Sequence, residues 1–174
     1  MQVDYSVEVA PAQARLKKWL LFVILVSMVV GVDQSTKQYV DATFSLYESR
    51  PVVEGFFNLT YVRNSGAAFG ILSRRDPEFL RLFFLSVTGL ALLIVTFYYS
   101  RIPWSQRLIL CGLGLIMGGA LGNGIDRYTM GQVIDFLDVY VGNYHWPAFN
   151  VADSAICIGV GLLLIDSFRP PAGP

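Results

Sequence analysis

Two aspartates in this sequence occupy positions where a carboxylate is costly. Asp135 lies in Val133-Ile134-Asp135-Phe136-Leu137, an apolar run with strand character. Asp153 lies in Phe149-Asn150-Val151-Ala152-Asp153-Ser154-Ala155, at the mouth of an apolar helix that runs on to Ile165. Burial disfavours the charged form of a lone carboxyl, and two neighbouring carboxyls do not both ionise easily, so such a pair tends to share a proton. One acid held beside one base is the arrangement of aspartic-type peptide hydrolysis. Serine chemistry is poorly supplied. Ser154 has no base in its surroundings, because His145 is the only histidine. A pair of Ser35 or Ser65 with Lys37 lacks the apolar setting that turns lysine into a base, and no G-x-S-x-G elbow is present. With one histidine and two cysteines, Cys111 and Cys157, both in apolar segments, no metal site is expected.

Further polar residues stand at the ends of apolar segments, where ionisable groups are functional candidates. Asp33 closes the first such segment, Asn123 and Asp126-Arg127 close the third, and Asp153 opens the fourth. Asn64 and Asp135 come from two extended stretches on the same side. Each has a plainer use: Asp33 pairing with Lys37, Asp126 with Arg127, Asp153 as a helix N-cap, Asp135 as a surface strand residue three before Asp138. Taken together those uses would leave this whole set of polar groups buried at one depth without purpose, which is expensive. Asn64-Ser65-Gly66 is turn chemistry, with Gly66 free to adopt positive φ.

The elements that must hold these groups are membrane elements. Of the 174 residues, 54% are hydrophobic and only 15% charged, against roughly 25% charged in soluble proteins. The apolar residues also cluster in long blocks. Spans are expected over about 17–33, 79–99, 108–124 and 151–168, in a single domain covering 1–174. Gly114, Gly118 and Gly122 recur every four residues, a face that lets another helix approach closely. Between the spans, 35–78 and 125–150 lie outside the bilayer. Thr36–Leu46 has loose amphipathic helical spacing, whereas Arg50–Arg63 and Gln132–Tyr140 read as strands, the second followed by a turn at Val141-Gly142-Asn143. Residues Met1–Ala14 form a polar lead-in, Ala67–Gly70 a small-residue segment, and a proline-rich tail ends the chain. No cleavage site follows the first block, so it reads as a span and not as a signal peptide. Lys17, Lys18 and the Arg101–Arg107 loop place both termini in the cytoplasm by the positive-inside rule, and the aspartates outside. Net charge is zero with no basic run, so nucleic acid is not a partner. A bundle with buried aspartates can instead pass protons or cations. That alternative predicts acids at mid-membrane, but here the spans are clean in their middles.

Five segments carry a family resemblance: Val32-Asp33-Gln34-Ser35-Thr36-Lys37; Arg63-Asn64-Ser65-Gly66-Ala67-Ala68-Phe69; Gly118-Gly119-Ala120-Leu121-Gly122-Asn123 with Asp126-Arg127; Val133-Ile134-Asp135-Phe136; and Pro147-Ala148-Phe149-Asn150-Val151-Ala152-Asp153-Ser154. In this order and between the expected spans they resemble the lipoprotein signal peptidases, the type II signal peptidases of bacteria. The resemblance implies a four-helix enzyme of the bacterial cytoplasmic (inner) membrane with a small extracytoplasmic β-sheet, the β-cradle, and an amphipathic periplasmic helix segment. It implies prolipoprotein substrates bearing diacylglycerol on a cysteine, cleavage just before that cysteine, contact with membrane lipid and inhibition by globomycin. The catalytic dyad falls on Asp135 and Asp153; Asn64, Asn123, Arg127 and Asn150 are substrate contacts, with Gly66, Asp33 and Asp126 in support. No cofactor is implied. Gly124 departs from the family, in which bulkier residues are common after Asn123, and Arg74–Glu78 matches no motif.

Overall fold

The computed structural model describes residues 12–66 and 76–169. Most of the lead-in, the small-residue segment Ala67–Gly70, Arg74, Arg75 and the tail beyond Arg169 lie outside the described residues. Among the described residues four helices and one small antiparallel sheet follow in the order α1 (Ala12–Thr43), β1 (Ser49–Val53), β2 (Phe57–Asn64), α2 (Pro77–Arg101), α3 (Arg107–Met130), β3 (Val133–Val141), β4 (Tyr144–His145) and α4 (Val151–Ser167). Two of the helices, α2 and α3, are long and apolar enough to cross a membrane.

Helix α3 is the spine, touching the other three. Its glycines make this possible. A methyl group on Gly114 or Gly118 would press on Leu25 or Val29 of α1, and one on Gly122 would come within 2.6 Å of Asp33 Oδ2. This is the close approach that the four-residue spacing predicts. Gly112 and Gly119 face α4 instead, where an added methyl would strike the Gly159 and Ala152 carbonyl oxygens. Small residues let the backbones close without side chains between them.

One expectation is corrected. The first apolar block and the amphipathic stretch Thr36–Leu46 are not separate elements, because α1 runs unbroken to Thr43. No glycine or proline interrupts it after Gly31. Lys37 pairs with Asp33 one turn back at 2.8 Å, inside the protein, so the polar residues that suggested a helix end continue the helix. The chain then reverses through Tyr47, whose left-handed φ of 68° is held by its N–H donating to the Tyr61 carbonyl at 2.8 Å.

The sheet order is β1-β2-β3-β4 with every pair antiparallel. Between Leu59↔Leu137 and Val62↔Asp135 the register shifts, so β2 carries one extra residue at Thr60-Tyr61. The extra residue turns Tyr61 into a core of Val40, Phe44, Ile134 and Phe136, which fixes β3 to the end of α1. Because successive strand residues point to opposite faces, anchoring Ile134 and Phe136 in that core sends Asp135 the other way. The expected turn forms at Gly142, φ +60°.

Candidate active site

Asp135 reaches the site from β3 and is 3% exposed, which removes the surface-strand reading. Asp153 reaches it from the first turn of α4. The N-cap of α4 is Asn150, not Asp153; Asp153 is the third helical residue of a capping box. Asn150 Oδ1 accepts from the Asp153 N–H at 2.9 Å, and the Asn150 N–H donates to Asp153 Oδ2 at 3.2 Å.

Three asparagines present their amide N–H groups to the two carboxylates. Asn64 Nδ2 donates to Asp135 Oδ2 at 2.9 Å, Asn150 Nδ2 to Asp135 Oδ1 at 2.7 Å, and Asn123 Nδ2 to Asp153 Oδ1 at 2.7 Å. Which end of an amide is nitrogen is settled only by its partners, and here each oxygen is held by an unambiguous donor. The Gly66 N–H donates to Asn64 Oδ1 at 2.8 Å, the Asp153 N–H to Asn150 Oδ1, and Lys37 Nζ to Asn123 Oδ1 at 2.8 Å. Gly66 has the positive φ its turn requires, +96°, and a side chain there would collide with the Phe84 ring. Asn150, with no exposed surface, joins the aspartates directly, its side chain on one and its backbone on the other.

Beneath this layer lies a buried ion cluster. Lys37, 1% exposed, donates to Asp33 Oδ2, Asp126 Oδ2 and Asn123 Oδ1, each at 2.8 Å. All three ammonium donors are therefore used. Asp33 Oδ1 accepts the Ala152 N–H at 2.9 Å, tying α1 to the start of α4, and Asp126 Oδ2 accepts the Ile134 N–H at 3.3 Å. Gln34 Nε2 donates to Asp126 Oδ1 at 2.8 Å and to the Gly122 carbonyl at 3.1 Å. Asp126 thus pairs with Lys37, not with Arg127. The view of Lys37 as lacking a buried setting is also overturned, although its donors are spent on acceptors and not on a serine.

Arg127 is half-buried. Its guanidinium lies 4.9 Å from the Phe84 ring centre, and Nη1 donates to the Asn123 carbonyl at 3.3 Å. Among the described residues no carboxylate lies within salt-bridge distance of it, and this hydrogen bond uses one of its five donors.

Four carboxyls (Asp33, Asp126, Asp135, Asp153) thus share the site with two cations (Lys37, Arg127). That imbalance favours retention of a proton. Burial pushes the Asp135 carboxyl up to about 6, with the neighbouring Asp153 charge adding to the rise and the Asn64 and Asn150 hydrogen bonds opposing it. A carboxyl that keeps its proton beside a second carboxylate has the makings of an acid–base pair for activating water. Among the described residues, no three His, Cys, Asp or Glu side chains are grouped as a metal site.

Residues 25–169 match the family model described as signal peptidase (SPase) II. The chain is 51% identical over 153 residues to the lipoprotein signal peptidase of Syntrophus aciditrophicus, covering 88% of this chain and 95% of that one. It is 50% identical over 149 residues to the lipoprotein signal peptidase of Geobacter metallireducens, covering 86% and 91%. To that of Yersinia enterocolitica it is 47% identical over 156 residues, covering 89% of each. A solved bacterial membrane enzyme, determined by the in meso method, superposes with a TM-score of 0.76 at 34% identity, over 85% of this chain and 92% of that one.

Proposed function

The chain belongs to the signal peptidase II family, whose members process prolipoproteins, and from that premise we propose that it cleaves by aspartic-type hydrolysis with Asp135 and Asp153 as the catalytic pair. The observation that carries this is the convergence of three oriented asparagine amides on two adjacent carboxylates. A water held between the pair loses a proton to one aspartate as its oxygen attacks the scissile carbonyl. The other aspartate, protonated, donates to the carbonyl oxygen. The tetrahedral intermediate collapses when the amine nitrogen receives a proton, breaking the C–N bond and leaving a carboxyl on the signal peptide. The proton belongs to the pair. Asp135, the more buried, is its favoured seat, and Asp153, at the positive end of α4, is the base. Arg127, with donors to spare, takes a substrate carbonyl.

All four helices cross the bacterial cytoplasmic membrane in this reading, with both termini in the cytoplasm and the aspartates toward the outer face. In support, α2 exposes Phe83, Val87, Leu90, Leu93 and Ile94, and α1 exposes Leu20, Val23, Ile24 and Met28, surfaces suited to lipid and not to water. The substrate's own signal helix lies among these helices, its diacylglyceryl chains stay in lipid, and globomycin competes for the same site. Proton passage is disfavoured by family membership and by the gathering of the acids at one end. The test is cleavage, by purified protein in detergent, of a diacylglyceryl-modified prolipoprotein beside its unmodified precursor. Globomycin-sensitive cleavage of the modified form alone is expected; equal cleavage of both would remove the lipid requirement.

A further inference from the structure

At the opposite end of the molecule from the aspartates, a cavity of about 410 Å³ opens where α1 meets the end of α2. Its charged lining is entirely cationic: Arg15, Lys18 and Arg101, with the indoles of Trp19 and Trp104 beside them. Lys18 is 7% exposed, and its Nζ donates to the Ser100 carbonyl at 3.0 Å and the Ile102 carbonyl at 2.9 Å. Two donors are spent on neutral acceptors and one remains. Among the described residues no carboxylate lies within salt-bridge distance of Lys18, Arg15 or Arg101, unlike Lys37, which has two. A buried charge is ordinarily paired, and the negative end of α2 supplies only part of what this one lacks.

The position indicates the missing anion. Lys18 and Lys37 are nineteen residues apart on one helix, roughly 28 Å by helical rise, close to the roughly 30 Å hydrocarbon thickness of a bilayer. With the Lys37 cluster at the outer face, the cavity stands at headgroup depth on the inner face. The same turns of α1 and α2 carry exposed, lipid-suited side chains, Leu16 (70% exposed) and Leu20 on α1 and Phe97 on α2. Indoles beside basic side chains are what the interface favours, and basic pockets between helices on this side suit lipid headgroups. We propose that this cavity binds the phosphodiester headgroup of an anionic phospholipid, with Lys18 and the two arginines on the phosphate and the acyl chains along the exposed flanks of α1 and α2. The proposal depends on the membrane setting and not on the catalytic assignment.

Native mass spectrometry of the full chain released from detergent, titrated with phosphatidylglycerol or phosphatidylcholine, tests it. Wild type should retain one phosphatidylglycerol in preference to phosphatidylcholine. The double variant Arg15→Gln, Arg101→Gln changes two exposed side chains and so should fold, and it should bind phosphatidylglycerol roughly tenfold to thirtyfold more weakly, as expected for removing two cations near a lipid phosphate. Lys18→Gln should weaken it as well; if that buried change prevents folding, the double variant still decides. Equal retention of the two lipids, or unchanged affinity in the double variant, would overturn the proposal. So would full displacement of the lipid by millimolar inorganic phosphate, which would mark an anion site indifferent to lipid.

Discussion

Replacing Asp135 with asparagine should change the pH dependence of stability by an amount the structure sets. The folded protein holds the Asp135 carboxyl at about 6, against 3.8 for an unperturbed one. The raised value means that the folded state keeps a proton which the unfolded chain releases. This contribution to stability is fully present below 3.8 and is lost as pH rises through about 6. At 1.36 kcal/mol per unit, the loss is about 3 kcal/mol. Asparagine does not titrate, so Asp135→Asn escapes it. The variant also sets a second amide against the N–H donors of Asn64 and Asn150, which accept no other arrangement because their oxygens are engaged. That mismatch costs about 1–3 kcal/mol, but it is the same at every pH. Thermal unfolding of both proteins in a mild detergent, from pH 3 to pH 8, separates the two effects. The variant should gain about 3 kcal/mol on wild type between the ends of the series, while other carboxyls titrate in both and largely cancel. A difference that stays flat, or one in which wild type gains as pH rises, would refute the account of Asp135 as a proton-holding acid.

Three further outcomes follow from the layers around the pair. Lys37→Met leaves Asp33 and Asp126 buried without a counter-charge and should destabilise the protein by about 3–5 kcal/mol, measured by the same unfolding assay. Asn123→Ala removes the side-chain donor that orients Asp153 and should lower kcat more than tenfold, with a smaller change in KM, since a displaced base is costly in the transition state. Gly119→Ala sets a methyl against the Ala152 carbonyl, so α3 and α4 must part at the turn that carries Asp153; a loss of about 1–3 kcal/mol together with reduced turnover is expected, and wild-type turnover would show that this contact does not position Asp153.

Much of this arrangement was legible in the sequence because its polar residues stand out against apolar runs. Asp135 in Val-Ile-Asp-Phe-Leu and Asp153 before an apolar helix are conspicuous, and the structure brings them together with Asn64, Asn123 and Asn150, the last of which only the family resemblance singled out. The spacing of Gly114, Gly118 and Gly122 likewise announced a close helix contact, and the structure shows α1 to be the partner. Lys37 was harder to read. A lysine one turn after an aspartate is ordinarily a solvated surface pair, and only the packing of α3 across it reveals a buried ammonium that orients Asn123. Gln34 was missed for the same reason: its partners, Asp126 and Gly122, are about ninety residues away. The unbroken length of α1 was concealed because Asp33-Gln34-Ser35-Thr36 has the composition of a helix end. The extra residue in β2 is set by pairing with β3 and by the Tyr61 core, neither of which leaves a mark in local alternation.

Single-turnover cleavage of a diacylglyceryl-modified prolipoprotein shows whether Asp135 and Asp153 act as one catalytic unit. Asp135→Asn, Asp153→Asn and the double variant should all fold and bind substrate, and each single variant should lose nearly as much rate as the double, as residues of one catalytic unit do. Substantial cleavage by either single variant would contradict the aspartic pair.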